Sequence, residues 1–278
     1  MSLTVYLNGQ YLPYEQAAIP IEDRAFLFAD GIYEVIRVYQ GRPFRMAQHM
    51  ARLKRSAREI GLPEPDCGQL EQVCQELLTR NQLSEATIYI EISRGAYDPR
   101  THAFPKGEVR PTVLVLARAF KPHPDLNLAG AKAITVPDQR WARCDIKSVS
   151  LLPNVLAKQK AAEAGAYEAI FVRDGFAIEG SSSNLMAVLD GTIRTYPLCN
   201  YILGGVTREA VLELARELGY PVREEGIPVA DLFRCSEVWV TSTTSEVMPI
   251  VEIDGRPVGD GRPGPVALAL YRAFMERV

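Results

Sequence analysis

Residues 120–130 read FKPHPDLNLAG: two prolines, breakers at Asn127 and Gly130, and no apolar repeat at strand or helix spacing. It is the best domain boundary in the sequence. On its N-terminal side, residues 4–7 and 10–12 flank Asn8-Gly9, a hairpin signal because both turn positions tolerate positive φ. Residues 32–39 (IYEVIRVY) alternate like a half-buried strand and stop at Gly41. Met50, Leu53, Ala57 and Ile60 recur at helical spacing, with Gly61 as the stop, and a second helix is predicted over 70–80. Strands are predicted at 87–93 and 112–117. Beyond the seam the pattern predicts strands at 132–136, 167–172, 184–189, 193–196 and 238–242, with a turn at Asp174-Gly175. Helices are predicted at 153–164, 207–218 and 265–278. This is an α+β protein of two unequal lobes: a smaller N-terminal domain over 1–120, a linker over 121–130 and a larger C-terminal domain over 131–278.

The 278 residues are ordinary globular material, 47% hydrophobic and 23% charged, with a formal net charge of -3. That balance offers no basic footprint for nucleic acid and no polybasic patch for a membrane. No apolar run approaches the ~18–20 residues that span a bilayer, and the first residues lack the pattern of a secretory leader. Five scattered cysteines and three histidines, with no C-x-x-C pair, argue against a metal site and for free thiols in the cytoplasm.

A lysine that forms a Schiff base must give up its proton readily, so it needs a dry, crowded position. The chain has seven lysines against 24 arginines. Lys54, Lys158 and Lys160 fall on amphipathic helices, and Lys106 and Lys121 in loops, leaving Lys132 and Lys147. Lys147 stands in residues 140–159, RWARCDIKSVSLLPNVLAKQ, beside Trp141, Ile146 and Val149. On these residues alone it is either a nucleophile or an exposed strand-end lysine. Residues 203–209, LGGVTRE, lead into a helix, as an anion site of backbone N–H groups or as a plain turn with Thr207 as cap. Residues 240–246, VTSTTSE, end a strand in five hydroxyls, suited to a phosphate or simply to a turn. Residues 178–184, IEGSSSN, set Glu179 before a turn of small residues, and HMARL at 49–53 supplies Arg52 on an early helix. A reactive lysine, a two-part phosphate cradle and a carboxylate to keep a pyridine nitrogen protonated are what a pyridoxal phosphate enzyme requires. An arginine at the phosphate adds charge-assisted hydrogen bonds.

Six blocks, in order, carry a family resemblance: EDRAFLFADGIYEVIRVYQGRPF (22–44), HMARLKRSAREI (49–60), RCDIKSVSLLPNVLAKQKA (143–161), YEAIFVRDGFAIEGSSSN (167–184), ILGGVTRE (202–209) and VTSTTSEVMPIVEIDG (240–255). Together they resemble the class IV (fold type IV) pyridoxal phosphate aminotransferases, over nearly the whole chain. The resemblance implies a small N-terminal α/β domain and a larger cofactor-binding domain with a β-barrel-like sheet core. It implies that Lys147 is the Schiff-base lysine and moves a proton at the substrate Cα, and that Glu179 partners the pyridine nitrogen. It places Arg52, the backbone of Gly205 and Val206, Thr207, Ser242 and Thr243 at the phosphate, with Tyr33 in the active site.

Within the family, Arg100-Thr101-His102 matches the Arg-x-His clamp that D-amino acid members use for the substrate α-carboxylate. The loop at 94–100 runs one residue longer than in the best-known D-type pattern. The implied activity is ping-pong transamination between D-amino acids and 2-oxo acids in a homodimer, Arg100 and His102 acting across the dimer. Branched-chain L-amino acid aminotransferases and aminodeoxychorismate lyases share the framework and stay open as alternatives.

Overall fold

A computed structural model describes residues 2–278 and divides into two compact units. The first runs to Lys121 and takes in Ile146–Ser150; the second comprises Pro122–Asp145 and Leu151–Val278. The chain therefore leaves the second unit for five residues, and those five include Lys147. The stretch expected to be a bare linker carries a short helix of the second unit, Pro124–Ala129. Pro124 starts it and Gly130 ends it, and its six residues are too few to show a repeat.

The first unit holds β1 (Thr4–Leu7), β2 (Gln10–Pro13), α1 (Arg24–Phe28), β3 (Gly31–Tyr39), β4 (Arg42–Pro43), α2 (Met46–Glu59), α3 (Cys67–Arg80), β5 (Ala86–Ser93) and β6 (Thr112–Ala119). Its strands form one sheet in the order β2-β1-β6-β5-β3-β4. Asn8 and Gly9 turn the first hairpin at φ 51° and 93°. Met50, Leu53 and Ala57 of α2 and Leu70, Cys74 and Leu77 of α3 pack with Ile32, Ile36, Ile88 and Ile90 of the sheet. Leu53 and Leu77 are fully buried, each stabilising by roughly 1.5–3 kcal/mol. Strand β3 departs from the half-buried expectation. Glu34 lies on the face of Ile32 and Ile36, and Arg37 and Tyr39 on the opposite face are buried as well.

The second unit holds α4 (Pro124–Ala129), β7 (Ala131–Pro137), α5 (Leu152–Glu163), β8 (Glu168–Arg173), β9 (Phe176–Gly180), β10 (Asn184–Leu189), β11 (Thr192–Thr195), α6 (Val206–Glu217), β12 (Val222–Arg223), β13 (Ile227–Pro228), α7 (Val229–Leu232), β14 (Glu237–Ser242), β15 (Glu246–Ile253), β16 (Arg256–Pro257) and α8 (Pro265–Met275). Strands β10, β14, β15, β7, β8 and β9 close into a barrel, because β9 also pairs with β10 at Glu179 and Asn184. Closure removes the free edges that an open sheet exposes. One cluster packs Ala133, Ile170, Ala177, Leu185, Ala187 and Val240, whereas Ala157 and Ala161 of α5 pack on Ala169, Phe171 and Ile178.

Candidate active site

In the first unit, α2 presents His49, Arg52 and Ser56 at helical spacing, one face of the helix. Glu34 of β3 meets that face with no exposed surface. Its carboxylate accepts from Arg52 Nε and Nη2, each at 2.7 Å, and lies 2.7 Å from His49 Nδ1. Burial alone would raise the Glu34 carboxyl, but Arg52 and His49 outweigh it and hold it at about 2. Burial lowers the His49 pKa, against the pull of Glu34. The guanidinium of Arg52 is thereby held in one orientation by a bidentate fork. Residues 146–150 lie along β3: Tyr33 N–H donates to Lys147 O at 2.9 Å, and Val149 N–H to Gly31 O at 3.1 Å. On the other side, Lys147 N–H donates to Ser56 Oγ at 3.3 Å. The Lys147 ammonium sits 4.0 Å from the centre of the Tyr33 ring. The other lysine left open by the sequence, Lys132, is an exposed residue paired with Glu252.

Arg100 and His102 gather elsewhere in this unit. The Arg100 guanidinium lies 4.3 Å from the Phe28 ring centre, and the His102 ring 5.3 Å from it. Both residues are exposed, and their ring contacts are with Phe28 rather than Tyr33.

In the second unit, Glu179 near the end of β9 is 4% exposed yet surrounded by donors. Arg140 Nη1 donates to Oε1, while Asn184 Nδ2 and the Leu203 N–H donate to Oε2, both at 3.0 Å. Even so, burial pushes the Glu179 carboxyl up to about 7, the pull of Arg140 notwithstanding. The charge of Arg140 is shared: its Nε and Nη2 hold the buried carboxylate of Asp138 at 2.9 and 3.0 Å. Asn184 Nδ2 also donates to Leu203 O at 2.8 Å, tying Glu179 to the approach of α6.

Helix α6 opens at Gly205, its N-cap, with no side chain capping it, so Thr207 lies in the first turn and is not the cap. A Cβ on Gly205 would fall 2.1 Å from Asn184 Oδ1, a position only glycine fills. An uncapped N-terminal end of this kind can receive an anion, since the helix dipole favours negative charge there. The hydroxyl run does not act as one row. Thr241 is buried with an unpartnered Oγ1, whereas Ser242 Oγ accepts from the Ser245 N–H at 3.0 Å, and Ser245 Oγ lies 2.7 Å from the Tyr167 hydroxyl. Behind Glu179, the buried Glu168 collects the hydroxyls of Ser181 and Ser183 and fixes the SSS turn.

Sequence reasoning overlooked Glu34, His49 and Arg140. His49 and Arg52 share one helix face at i, i+3, which is a usable signal; alternation sets Glu34 on the face of Ile32 and Ile36, but an acidic residue there gives no sign of the partners that bury it. Arg140 follows β7 in an irregular stretch, with no period to place it.

The amino-transferase class IV model matches residues 31–253. The chain is 44% identical over 275 residues to the D-alanine aminotransferase of Staphylococcus haemolyticus, covering 97% of this chain and 96% of that protein. It is 40% identical over 277 residues to the D-alanine aminotransferase of Bacillus licheniformis, covering 99% and 97%. Among solved structures, the T.th. branched-chain amino acid aminotransferase with pyridoxamine 5′-phosphate matches at TM-score 0.90 and 30% identity, over 99% of this chain and 94% of that one. The branched-chain amino acid aminotransferase from Escherichia coli matches at TM-score 0.90 and 28% identity, with the same coverage.

Proposed function

This chain belongs to the amino-transferase class IV family, and from that premise we propose that it transfers amino groups between D-amino acids and 2-oxo acids, with pyridoxal 5′-phosphate as its resident cofactor. The observation that carries the reading is the seat of Lys147, its backbone bonded to β3 and α2 and its amine over the Tyr33 ring. The residues fit the cofactor. An uncapped helix N-terminus opens at a glycine that tolerates no Cβ, and a buried carboxylate pushed up to about 7 lacks a full cationic partner. When bound, the cofactor supplies an electron-accepting ring and a carbon that carries the amino group between substrates.

The chain's own groups divide the remaining work. Lys147 anchors the cofactor and moves the proton to and from the substrate Cα. Glu179 keeps the ring nitrogen protonated. Arg52, oriented by Glu34, holds the phosphate with the backbone of Gly205 and Val206 and with Thr207, Ser242 and Thr243. Arg100 binds the substrate α-carboxylate, with His102 and Tyr33 in support, and so selects the enantiomer. The reading includes a homodimer in which Arg100 and His102 serve the site of the other copy, in keeping with their exposure in the single chain. It also includes a cytoplasmic setting for a protein with no helix, among the described residues, long and apolar enough to cross a membrane.

The D-amino acid reading draws on the 40–44% identity to D-alanine aminotransferases and on the Arg-x-His spacing. The likeness to branched-chain enzymes at TM-score 0.90 favours a second reading, L-amino acid transamination. A donor panel separates them: with 2-oxoglutarate as acceptor, D-alanine should turn over and L-leucine should not, and the cofactor's visible absorbance should shift with D-alanine alone. Turnover of L-leucine in preference to D-alanine would sink the D-amino acid reading.

A further inference from the structure

The Arg-x-His segment is exposed, but it is not loose. Asp30, two residues past α1, lies between two arginines with little exposed surface. Arg94 grips it in a fork, Nε to Oδ2 at 2.8 Å and Nη2 to Oδ1 at 3.0 Å, and Arg24 Nε reaches Oδ2 at 2.8 Å. Each arginine then spends its remaining donors on main-chain carbonyls. Arg94 donates to Ile60 O at 2.6 Å and Gly61 O at 3.0 Å. Arg24 donates to Thr101 O at 2.7 Å and His102 O at 3.4 Å, the carbonyls that directly follow Arg100. The Arg94 guanidinium also stacks on Phe104 at 3.7 Å, beyond the far end of the segment. Phe28, the last residue of α1, takes Arg24 on its ring at 4.7 Å, Arg100 at 4.3 Å and the His102 ring at 5.3 Å.

We propose that Arg24 and Phe28 are positioning residues for the substrate α-carboxylate: Arg24, braced by Asp30, fixes the backbone of residues 101–102, and the Phe28 ring fixes the direction of the Arg100 guanidinium. The proposal rests on the reading of Arg100 as the carboxylate clamp. Its physical content is preorganisation. A long arginine on an exposed loop loses rotamer freedom when it binds an anion, and a ring that already holds it removes part of that cost. Arg24 supplies the complementary restraint, because a planar guanidinium satisfies a carboxylate and two successive carbonyls at once, which a lysine ammonium does not match. The network therefore sets affinity for the carboxylate while the proton transfer at Lys147 is left as it was.

The test uses the intact enzyme and propionate, which is D-alanine without its amino group, as a non-reacting competitive probe. Phe28→Leu and Arg24→Lys should each raise the propionate Ki, and the KM for both D-alanine and 2-oxoglutarate, by about tenfold, with kcat within about twofold. Phe28→Tyr, which keeps the ring face, should restore all three. Phe28 is only half-buried, so its variants keep the test open if Arg24→Lys unfolds the loop. Arg100→Ala is the control for the clamp itself. A raised Ki in Arg100→Ala with an unchanged Ki in Phe28→Leu overturns the positioning role and leaves the clamp standing. An unchanged Ki in Arg100→Ala overturns the clamp, and the positioning role with it.

Discussion

Glu34 and Glu179 are both buried carboxylates, each facing an arginine, and they respond in opposite directions. Glu34 is held at about 2 and Glu179 is pushed up to about 7. The difference lies in what each arginine has left to give. Arg52 turns two nitrogens of its fork to Glu34, with His49 adding a third contact. Arg140 turns one nitrogen to Glu179 and a fork to Asp138, whose negative charge further opposes ionisation of Glu179. Burial costs both carboxylates the same kind of desolvation, and the share of one positive charge decides which of them ionises easily. Glu34 is complete as it stands and serves to aim Arg52. Glu179 remains short of positive charge, which is the condition of a group that awaits a protonated partner.

The largest expected effect lies outside the pair. Lys147→Ala should lose turnover by about a thousandfold or more, together with the cofactor's absorbance near ~400 nm. Retention of both would remove Lys147 from the chemistry. Next comes Glu34→Gln, which leaves Arg52 buried without its counter-charge and should destabilise by roughly 3–5 kcal/mol at neutral pH, read by urea denaturation.

The two carboxylates then part with pH. The low Glu34 pKa contributes stability that is present above its ordinary 4.5 and is lost as pH falls through about 2. Relative to Glu34→Gln, the native cofactor-free protein should lose roughly 3 kcal/mol over that window. The raised Glu179 pKa has the opposite sign. Its neutral form favours folding below 4.5, and that advantage fades as pH climbs through about 7. Against Glu179→Gln, the protein should weaken by a similar roughly 3 kcal/mol from pH 4.5 to 7. Two slopes of the same sign in cofactor-free denaturation would refute the contrast. The smallest effect is that of Gly205→Ala, whose new Cβ would press on Asn184 Oδ1 and through it on Glu179. It should cost about 1–3 kcal/mol of stability and weaken pyridoxal 5′-phosphate binding more than binding of pyridoxal, which lacks the phosphate.

Much of this was readable beforehand where the pattern is local. The Asn8-Gly9 turn, the helix after Met46 and the glycine opening before Thr207 each depend on a few adjacent residues, and the structure has them all. What escaped depends on partners distant in sequence. Glu34 falls among Ile32 and Ile36 on the apolar face of its strand, and nothing nearby announces that His49 and Arg52 will close over it. Thr241 and Ser242 read as equal members of a hydroxyl run until strand pleating turns one of them inward. Residues 146–150 carry too short a signal to reveal which unit they join.

That five-residue excursion has a consequence for the gene. A cut at Lys121 would place the coding sequence for Lys147 on the fragment that encodes the second unit, although the residue is built into the first. Neither half made alone would be a finished domain: one would lack the segment laid along β3, and the other would carry that segment, between Asp145 and Leu151, with nowhere to dock. Two separately expressed fragments should regain the lysine's seat only on reassociation, and the chain is in this sense indivisible at its most obvious seam.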